Sequence, residues 1–418
     1  MILDFSIGNY RSFNNIQTLD FRATPLVSES SETDINNIVK IGGQGVLKTI
    51  GLYGPNGSGK SNLIEAFRLF ATLIRTSLES EGAMDFAAEP FLLSKAISDN
   101  AGFFQVQLLF DEKKYRYGFT LNPNTGVLQE WLFGPAEKNE TWYFKRTHDK
   151  VETNKEWFPE AQRLPLENLR SNALFLSFVS SYNGELCQKI KDYFSTSVFI
   201  EDQLLLRNRN RRSFLSNSRR NFAGRPNYLT NDLLATGQNN LVLNWLKGAG
   251  LNYAGITLEL FHNDLERVWL NKNVYDQDGI KTGELQMDLD ESESAGTKKF
   301  YAYIGILNLL FNKGGFLISD EIDNNFHPSL LKHFIKSFND PLFNKAGAQL
   351  LFTSHDTNLL NPNILRRDQI YFTEKTTKDE TMLYSLADLK GIRNNADFAR
   401  QYLAGFYGAL PILEQFKQ

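Results

Sequence analysis

The sequence has little of what staples, spans or polarises a protein. Its 418 residues hold one cysteine, Cys187, so an intrachain disulfide is excluded and a reducing compartment is expected. No charge of one sign prevails: 45 Lys and Arg against 48 Asp and Glu leave a net charge of −3, which gives no global drive toward polyanions. Long apolar runs are missing. The most apolar stretch of the C-terminal half, residues 301–311, is too short to cross a bilayer as a helix. The opening MILDFSIGNYRSF has no basic segment followed by an apolar one, so it does not read as a signal peptide. There is no internal repeat and no sustained heptad pattern, which excludes a long coiled coil. A soluble, cytoplasmic protein without membrane contact is expected. What is present is ordinary for a globular chain, 42% hydrophobic and 22% charged, and long enough for two or three lobes.

Along the chain, Leu3, Phe5 and Ile7 alternate with polar neighbours, and Ile16, Leu19 and Phe21 follow a turn, which predicts two strands. Residues 28–45 are polar and Gly-rich and read as a loop. TIGLYG (49–54) is a short apolar strand that runs into GPNGSGKS and then into a helix with Leu63, Ala66, Phe67 and Phe70 on one face. From 103 to 146 the segments FFQVQLLF, YRYGFTL, VLQEWLF and TWYFKR, separated by turn signals such as NPNTG, predict an antiparallel meander. Residues 155–290 read as mainly helical. A strand-and-helix pattern then returns with GGFLISDEID, a helix from about Pro328, QLLFTSHD and QIYFTEK.

Four motifs carry chemistry. Gly54-Pro-Asn56-Gly57-Ser-Gly59-Lys60-Ser61 fits G-x-x-x-x-G-K-[ST] between an apolar strand and an amphipathic helix. Glycines at these places let backbone N–H groups turn inward around phosphate oxygens at a helix start, with Lys60 as a mobile charge and the Ser61 hydroxyl as a magnesium ligand. The second, FLISDE, is an apolar strand ending in Asp320 and Glu321. Such a strand delivers its last residues to the ligand edge of an α/β sheet, where Asp320 would hold magnesium through water and Glu321 would orient or deprotonate an attacking water. Taken alone, the acid pair reads equally well as a helix cap. The third is Thr353-Ser354-His355-Asp356, again at the end of an apolar strand. The chain has five histidines, and His148, His262 and His333 read as structural or solvated. A neutral imidazole at His355, 34 residues after Glu321, would hydrogen-bond a γ-phosphate. The fourth is Glu293-Ser294-Ala295-Gly296-Thr297 before a helix, 26 residues ahead of Asp320. By itself it is an N-cap with a phosphate-friendly helix start.

In this order the motifs resemble ABC-type ATPase heads, and among these the SMC/RecF/OLD-like branch rather than transporters. The opening FSIGNYRSFNN resembles that branch's N-terminal strand pair, and DEIDNNFHP its Asp-Glu segment with the following D-loop. The closing YLAGFYGALPIL and the size resemble the AbiL/RloA-type (AAA_15/AAA_21-like) ATPases of bacterial anti-phage defence. The resemblance implies an α/β fold: a P-loop head with an N-terminal antiparallel β subdomain and an inserted helical lobe, divided as 1–150, 151–290 and 291–418. It implies ATP and Mg²⁺ as ligands, and a head-to-tail homodimer or higher homo-oligomer that sandwiches ATP. Ser294 and Gly296 match the signature that meets the γ-phosphate of the opposite subunit, Asp323 the D-loop residue at the seam, and His355 the switch histidine. The signature reads ESAGT rather than LSGGQ. Arg11 corresponds to a nucleotide-proximal arginine, whereas a Q-loop glutamine is not placed, since Gln105 and Gln107 read as strand residues.

RNRNRRSFLSNSRRNFAGR (207–225) holds Arg207, Arg209, Arg211, Arg212, Arg219, Arg220 and Arg225 with two phenylalanines. Such a cluster suits phosphate backbones and unstacked bases. It equally suits a protein partner or a solvated face. The expected biology is a sensor or switch in abortive-infection defence that controls a separately encoded effector, such as a nuclease. The alternatives are a RecF-like ATPase acting directly on DNA and a scaffold that uses ATP only to dimerise.

Overall fold

The computed structural model describes residues 1–79, 89–94, 101–137, 139–201, 227–260 and 266–411. In chain order, β1 (Ile2–Gly8) and β2 (Gln17–Asp20) are followed by β3 (Ile38–Ile41), β4 (Gln44–Leu47) and β5 (Thr49–Tyr53). A phosphate-loop turn and the helix Lys60–Thr76 come next, then the meander β6 (Gly102–Phe110), β7 (Lys113–Asn122), β8 (Gly126–Pro135), β9 (Glu140–Thr147) and β10 (Lys150–Thr153). Helices Phe175–Ser181 and Glu185–Asp192 lead to β11 (Val198–Ile200). After helices Tyr228–Ala235 and Asn239–Gly248 come β12 (Gly255–Leu260), β13 (Glu266–Tyr275) and β14 (Lys281–Asp288). Helix Ala295–Lys313, β15 (Phe316–Ser319), helix Pro328–Asn339, β16 (Gln349–Thr353), β17 (Ile370–Lys375), β18 (Thr381–Ser385) and helix Phe398–Leu403 complete the fold.

Two sheets dominate. One is antiparallel in the order β10-β9-β8-β7-β6-β1-β2, and the other runs β11-β15-β16-β5-β17-β18. In the second, β11, β15, β16, β5 and β17 are parallel and β18 returns antiparallel beside β17. Parallel strands buried on both faces are uniformly apolar, and β5 (TIGLY), β15 (FLIS) and β16 (QLLFT) are buried throughout. The helix Lys60–Thr76 joins the sheets through its aromatic stripe. Phe67 stands 4.7 Å from Phe5 and 5.3 Å from Phe316, while Phe70 stacks on Phe119 at 5.3 Å. The phosphate loop is thereby fixed at the C-terminal edge of a sheet by a helix clamped on two sides.

Among the described residues the insertion is less helical than the reading of 155–290 predicts. Helices account for 175–192 and 228–248, but 255–288 forms a three-stranded antiparallel sheet. Only Ile256, Val268 and Leu270 of these strands are deeply buried apolar residues, so the period-2 signal was sparse. The hairpin turn is organised by Asp276, whose carboxylate accepts from Asp278 N and Ile280 N. Packing also divides the chain later than residue 150. Leu174–Val198 belong to the core of the N-terminal sheet, and Leu233–Leu246 to the core under helix Ala295–Lys313.

Candidate phosphate-binding site

The loop after β5 turns through left-handed backbone at Gly54 (φ 147°), Gly57 (φ 77°) and Gly59 (φ 114°). Space excludes a side chain at two of these positions: a Cβ on Gly54 would lie 2.3 Å from Thr373 O, and one on Gly59 2.3 Å from Thr381 Oγ1. Asn56 and Gly57 form the exposed tip, and Ser61 is exposed on the first turn of the helix. Lys60 is 7% exposed and folds back over the loop, donating to Gly54 O (2.7 Å) and Pro55 O (3.1 Å). Burial pushes its ammonium pKa down, while the carboxylates of Asp320, Glu321 and Asp323 hold it up.

The loop rests on a floor of hydroxyls that the sequence did not announce. Ser58 Oγ pairs with Thr373 Oγ1 at 2.6 Å, and Thr381 Oγ1 donates to Ser58 O and pairs with Ser12 Oγ, each at 2.8 Å. Asn62 Nδ2 also reaches Ser12 Oγ at 2.7 Å. Beside this floor Arg11, itself at φ 46°, is ion-paired with Glu89 at 2.9 Å.

At the same sheet edge Asp320 and Glu321 directly follow the end of β15. Thr353, at the end of neighbouring β16, bridges them: its hydroxyl donates to Asp320 Oδ1 (2.5 Å) and accepts from Glu321 N (2.6 Å). Glu321 takes a left-handed backbone (φ 48°), a strained state for a non-glycine residue that clusters at functional sites. Its carboxylate accepts from Asn324 Nδ2 at 2.6 Å. Two residues on, Asp323 accepts from His355 N at 3.3 Å, and the His355 side chain is exposed. Asp320, Glu321, Asp323 and His355 thus form one cluster through two adjacent parallel strands.

Ser294 caps helix Ala295–Lys313, its hydroxyl accepting from Thr297 N at 3.2 Å. The start of this helix is pressed onto the loop after Glu321. Lys299 Nζ donates to Ile322 O (3.2 Å) and Asn324 O (3.1 Å) and lies 3.5 Å from the Glu201 carboxylate. Glu201, at the end of β11, also accepts from Tyr303 OH and Ser319 Oγ, and its carbonyl accepts from Arg68 of the phosphate-loop helix at 3.2 Å. No sequence pattern marked Glu201, yet it ties the three parts of the site together. Gln105 and Gln107 lie in β6, and Gln105 accepts from the Trp131 indole N–H. Ser294 and Gly296 line a cavity of about 490 Å³ to which no residue of the loop 54–61 contributes. The Arg-rich segment 207–225 lies outside the described residues. Among the described residues no group of three or more His, Cys, Asp or Glu is arranged to hold a metal by itself, and no helix is long and apolar enough to cross a membrane.

A phosphate loop and, after a Ser-capped helix, an Asp-Glu segment on one parallel sheet flanked by an antiparallel sheet define a P-loop ATPase domain. The chain belongs to the AAA_21 family, described as "AAA domain, putative AbiEii toxin, Type IV TA system", which it matches over residues 50–361, three-quarters of its length. A search of curated proteins returns no match. Among solved structures it is similar to an SMC head domain from Thermotoga maritima (12% identity, TM-score 0.40, covering 92% of this chain and 98% of that one). It is also similar to the Smc head domain with a coiled coil and joint derived from Pyrococcus yayanosii (11%, 0.45, 97% and 99%). A third is the SmcHead bound to the C-winged helix domain of ScpA (12%, 0.45, 92% and 97%).

Proposed function

We propose that the protein binds and hydrolyses ATP as a dimerising switch. The observation that carries this reading is the Thr353 bridge, which holds Asp320 and Glu321 together at the sheet edge opposite the loop that buries Lys60. Gly54, Asn56, Gly57 and Gly59 would wrap the phosphates with backbone N–H groups, and Lys60 would leave the Gly54 and Pro55 carbonyls for phosphate oxygens. The donor set fits a divalent cation: the exposed Ser61 hydroxyl and the Asp320 carboxylate would hold Mg²⁺, which supplies charge neutralisation of the phosphates when bound. Glu321 would take the proton of the attacking water, its carboxylate aimed by Asn324 and its backbone by Thr353. His355, anchored through Asp323, would contact the γ-phosphate.

The second half of the site would come from another copy. Ser294 and Gly296 open onto a cavity that no residue of the loop 54–61 lines, which supports a reading in which the signature meets the nucleotide of another chain. Two copies arranged head to tail would place each signature over the other's ATP, with Asp323 at the seam, and hydrolysis would open the pair. The family's toxin–antitoxin description supports a defence role; in this reading the ATPase would control a separately encoded effector and would meet nucleic acid through Arg207–Arg225. Light scattering and steady-state phosphate release, each with and without ATP-magnesium, test the reading. ATP-dependent dimers with turnover are expected. A monomer that releases no phosphate would overturn it.

A further inference from the structure

The cavity beside Ser294 has a second wall that neither the motifs nor the proposed chemistry uses. Helix Pro328–Asn339 begins at the same cavity, which is lined there by His327 and His333, opposite Gly248 at the end of helix Asn239–Gly248. Among the described residues no carboxylate lines it; its polar groups are serine and threonine hydroxyls, the Asn325 amide and two imidazoles. His327 is the N-cap of its helix, and Nδ1 of the ring accepts from Ser329 N at 3.2 Å. A nitrogen that accepts carries no proton, so in the neutral ring the proton sits on Nε2, leaving one N–H on a ring that lines the cavity. His333, in the second turn of the helix, is exposed. A space of about 490 Å³ lies within the range of small-molecule sites, and donors without a competing acid suit an anion.

We propose that this cavity receives the phosphate end of the nucleotide carried by a second copy, and that His327 and His333 donate hydrogen bonds to it across the dimer seam. The inference rests on the composite-site reading and adds two residues to it. His327 and His333 make each copy's grip on its partner's ATP stronger than the signature alone would, and they contribute nothing to ATP binding within one copy.

The test uses full-length Glu321→Gln protein, whose ATP-bound dimer should persist. His327→Asn keeps a good helix cap while removing the Nε2 donor, and His333→Ala removes an exposed ring. Together they should raise the protein concentration for half-maximal ATP-dependent dimerisation on the order of ten-fold or more, with ATP affinity of the monomer unchanged by calorimetry. Gly248→Trp, whose Cβ would enter open space, should fill the cavity and abolish the dimer while the chain stays folded. If Ser294→Arg blocks dimerisation but the double histidine variant dimerises like its parent, the histidine assignment is wrong and the composite site stands. If the parent binds ATP yet never dimerises, the composite site fails and this inference with it. Inorganic phosphate titrated into Lys60→Ala protein is the remaining arm. Weak phosphate binding that is lost in the double histidine variant is expected of the isolated subsite; phosphate binding that the double variant leaves unchanged would overturn the assignment of the two imidazoles.

Discussion

Gly296 and Asn325 touch so closely that a Cβ on the glycine would sit 2.3 Å from the asparagine's backbone carbonyl oxygen. The glycine of the signature is therefore required inside one chain, before any partner arrives: it lets the helix start lie directly on the loop that follows Glu321. Asn325 itself stands at φ 67°, so the loop cannot retreat freely. Gly296→Ala should cost about 1–3 kcal/mol of stability, as overpacking against backbone does. It should also displace the loop enough to abolish ATP-dependent dimerisation while ATP still binds. Chemical denaturation and light scattering check the two effects, and an unchanged denaturation midpoint would show that the packing there is slack.

Lys60→Ala should abolish ATP binding, because no other cation lies in the loop. Burial also makes the Lys60 ammonium easier to deprotonate than an ordinary lysine, with Asp320, Glu321 and Asp323 opposing that trend. The charged form, which the phosphates need, is held below the folded pKa and lost as pH rises through it. ATP affinity should therefore begin to fall at a less alkaline pH than a free lysine would set. Calorimetry across an alkaline series checks both statements; full affinity in the alanine variant would move the site elsewhere.

Thr353 bridges the two carboxylate-bearing residues through one hydroxyl. Thr353→Val keeps the shape and removes both hydrogen bonds, so kcat should fall by roughly 10–10²-fold with KM for ATP little changed, as expected when about 1.5–3 kcal/mol of charge-assisted bonding disappears at a positioned group. Thr353→Ser should restore most of it. Equal losses in both variants would assign Thr353 to packing rather than to alignment.

How far the site could be read from sequence depends on how local each part is. Gly54–Ser61, Asp320–Glu321 and Ser294–Thr297 each lie on one continuous segment whose spacing is the signal. Thr353 lay inside a motif that drew attention to His355, and its bridging role appears only from the β15–β16 pairing, which aligns Ser319 with Phe352. Ser12, Glu201 and the hairpin pair Thr373 and Thr381 come from three separate segments and share no pattern, because scattered hydroxyls and a carboxylate have no period. The sheet at 255–288 escaped for a related reason: strands that expose most of their residues alternate too weakly to betray themselves.

The Arg-rich segment leads to a prediction of its own. If it meets nucleic acid, replacing Arg211, Arg212, Arg219 and Arg220 with Ala should weaken binding and flatten its salt dependence. On duplex DNA the log–log slope should shrink by up to about 0.9 for each phosphate that the variant no longer neutralises. Anisotropy titrations at several salt concentrations check this. Absence of salt-dependent binding by the unaltered protein to any DNA or RNA tested would assign the segment to a protein partner or to plain surface.

Glu321 separates a hydrolysing switch from a scaffold that uses ATP only to assemble. As the base it should contribute on the order of 10²–10⁴ in rate. Glu321→Gln keeps the side chain's shape and an oxygen to accept from Asn324, but it cannot take a proton in the same way. It also removes a negative charge facing Lys60, so ATP binding should survive or tighten. The variant should therefore accumulate as an ATP-bound dimer, since closure needs ATP and reopening needs hydrolysis. Adding Ser294→Arg should prevent that closure by placing a bulky side chain at the signature. Sizing by light scattering, with phosphate release measured in parallel, reads both effects. If the unaltered protein releases no phosphate and Glu321→Gln matches it in both assays, ATP is only an assembly ligand. If the unaltered protein turns over and Glu321→Gln keeps full activity, the proton goes elsewhere, and the strained backbone at Glu321 serves only to carry the chain from β15 into the loop beneath Gly296.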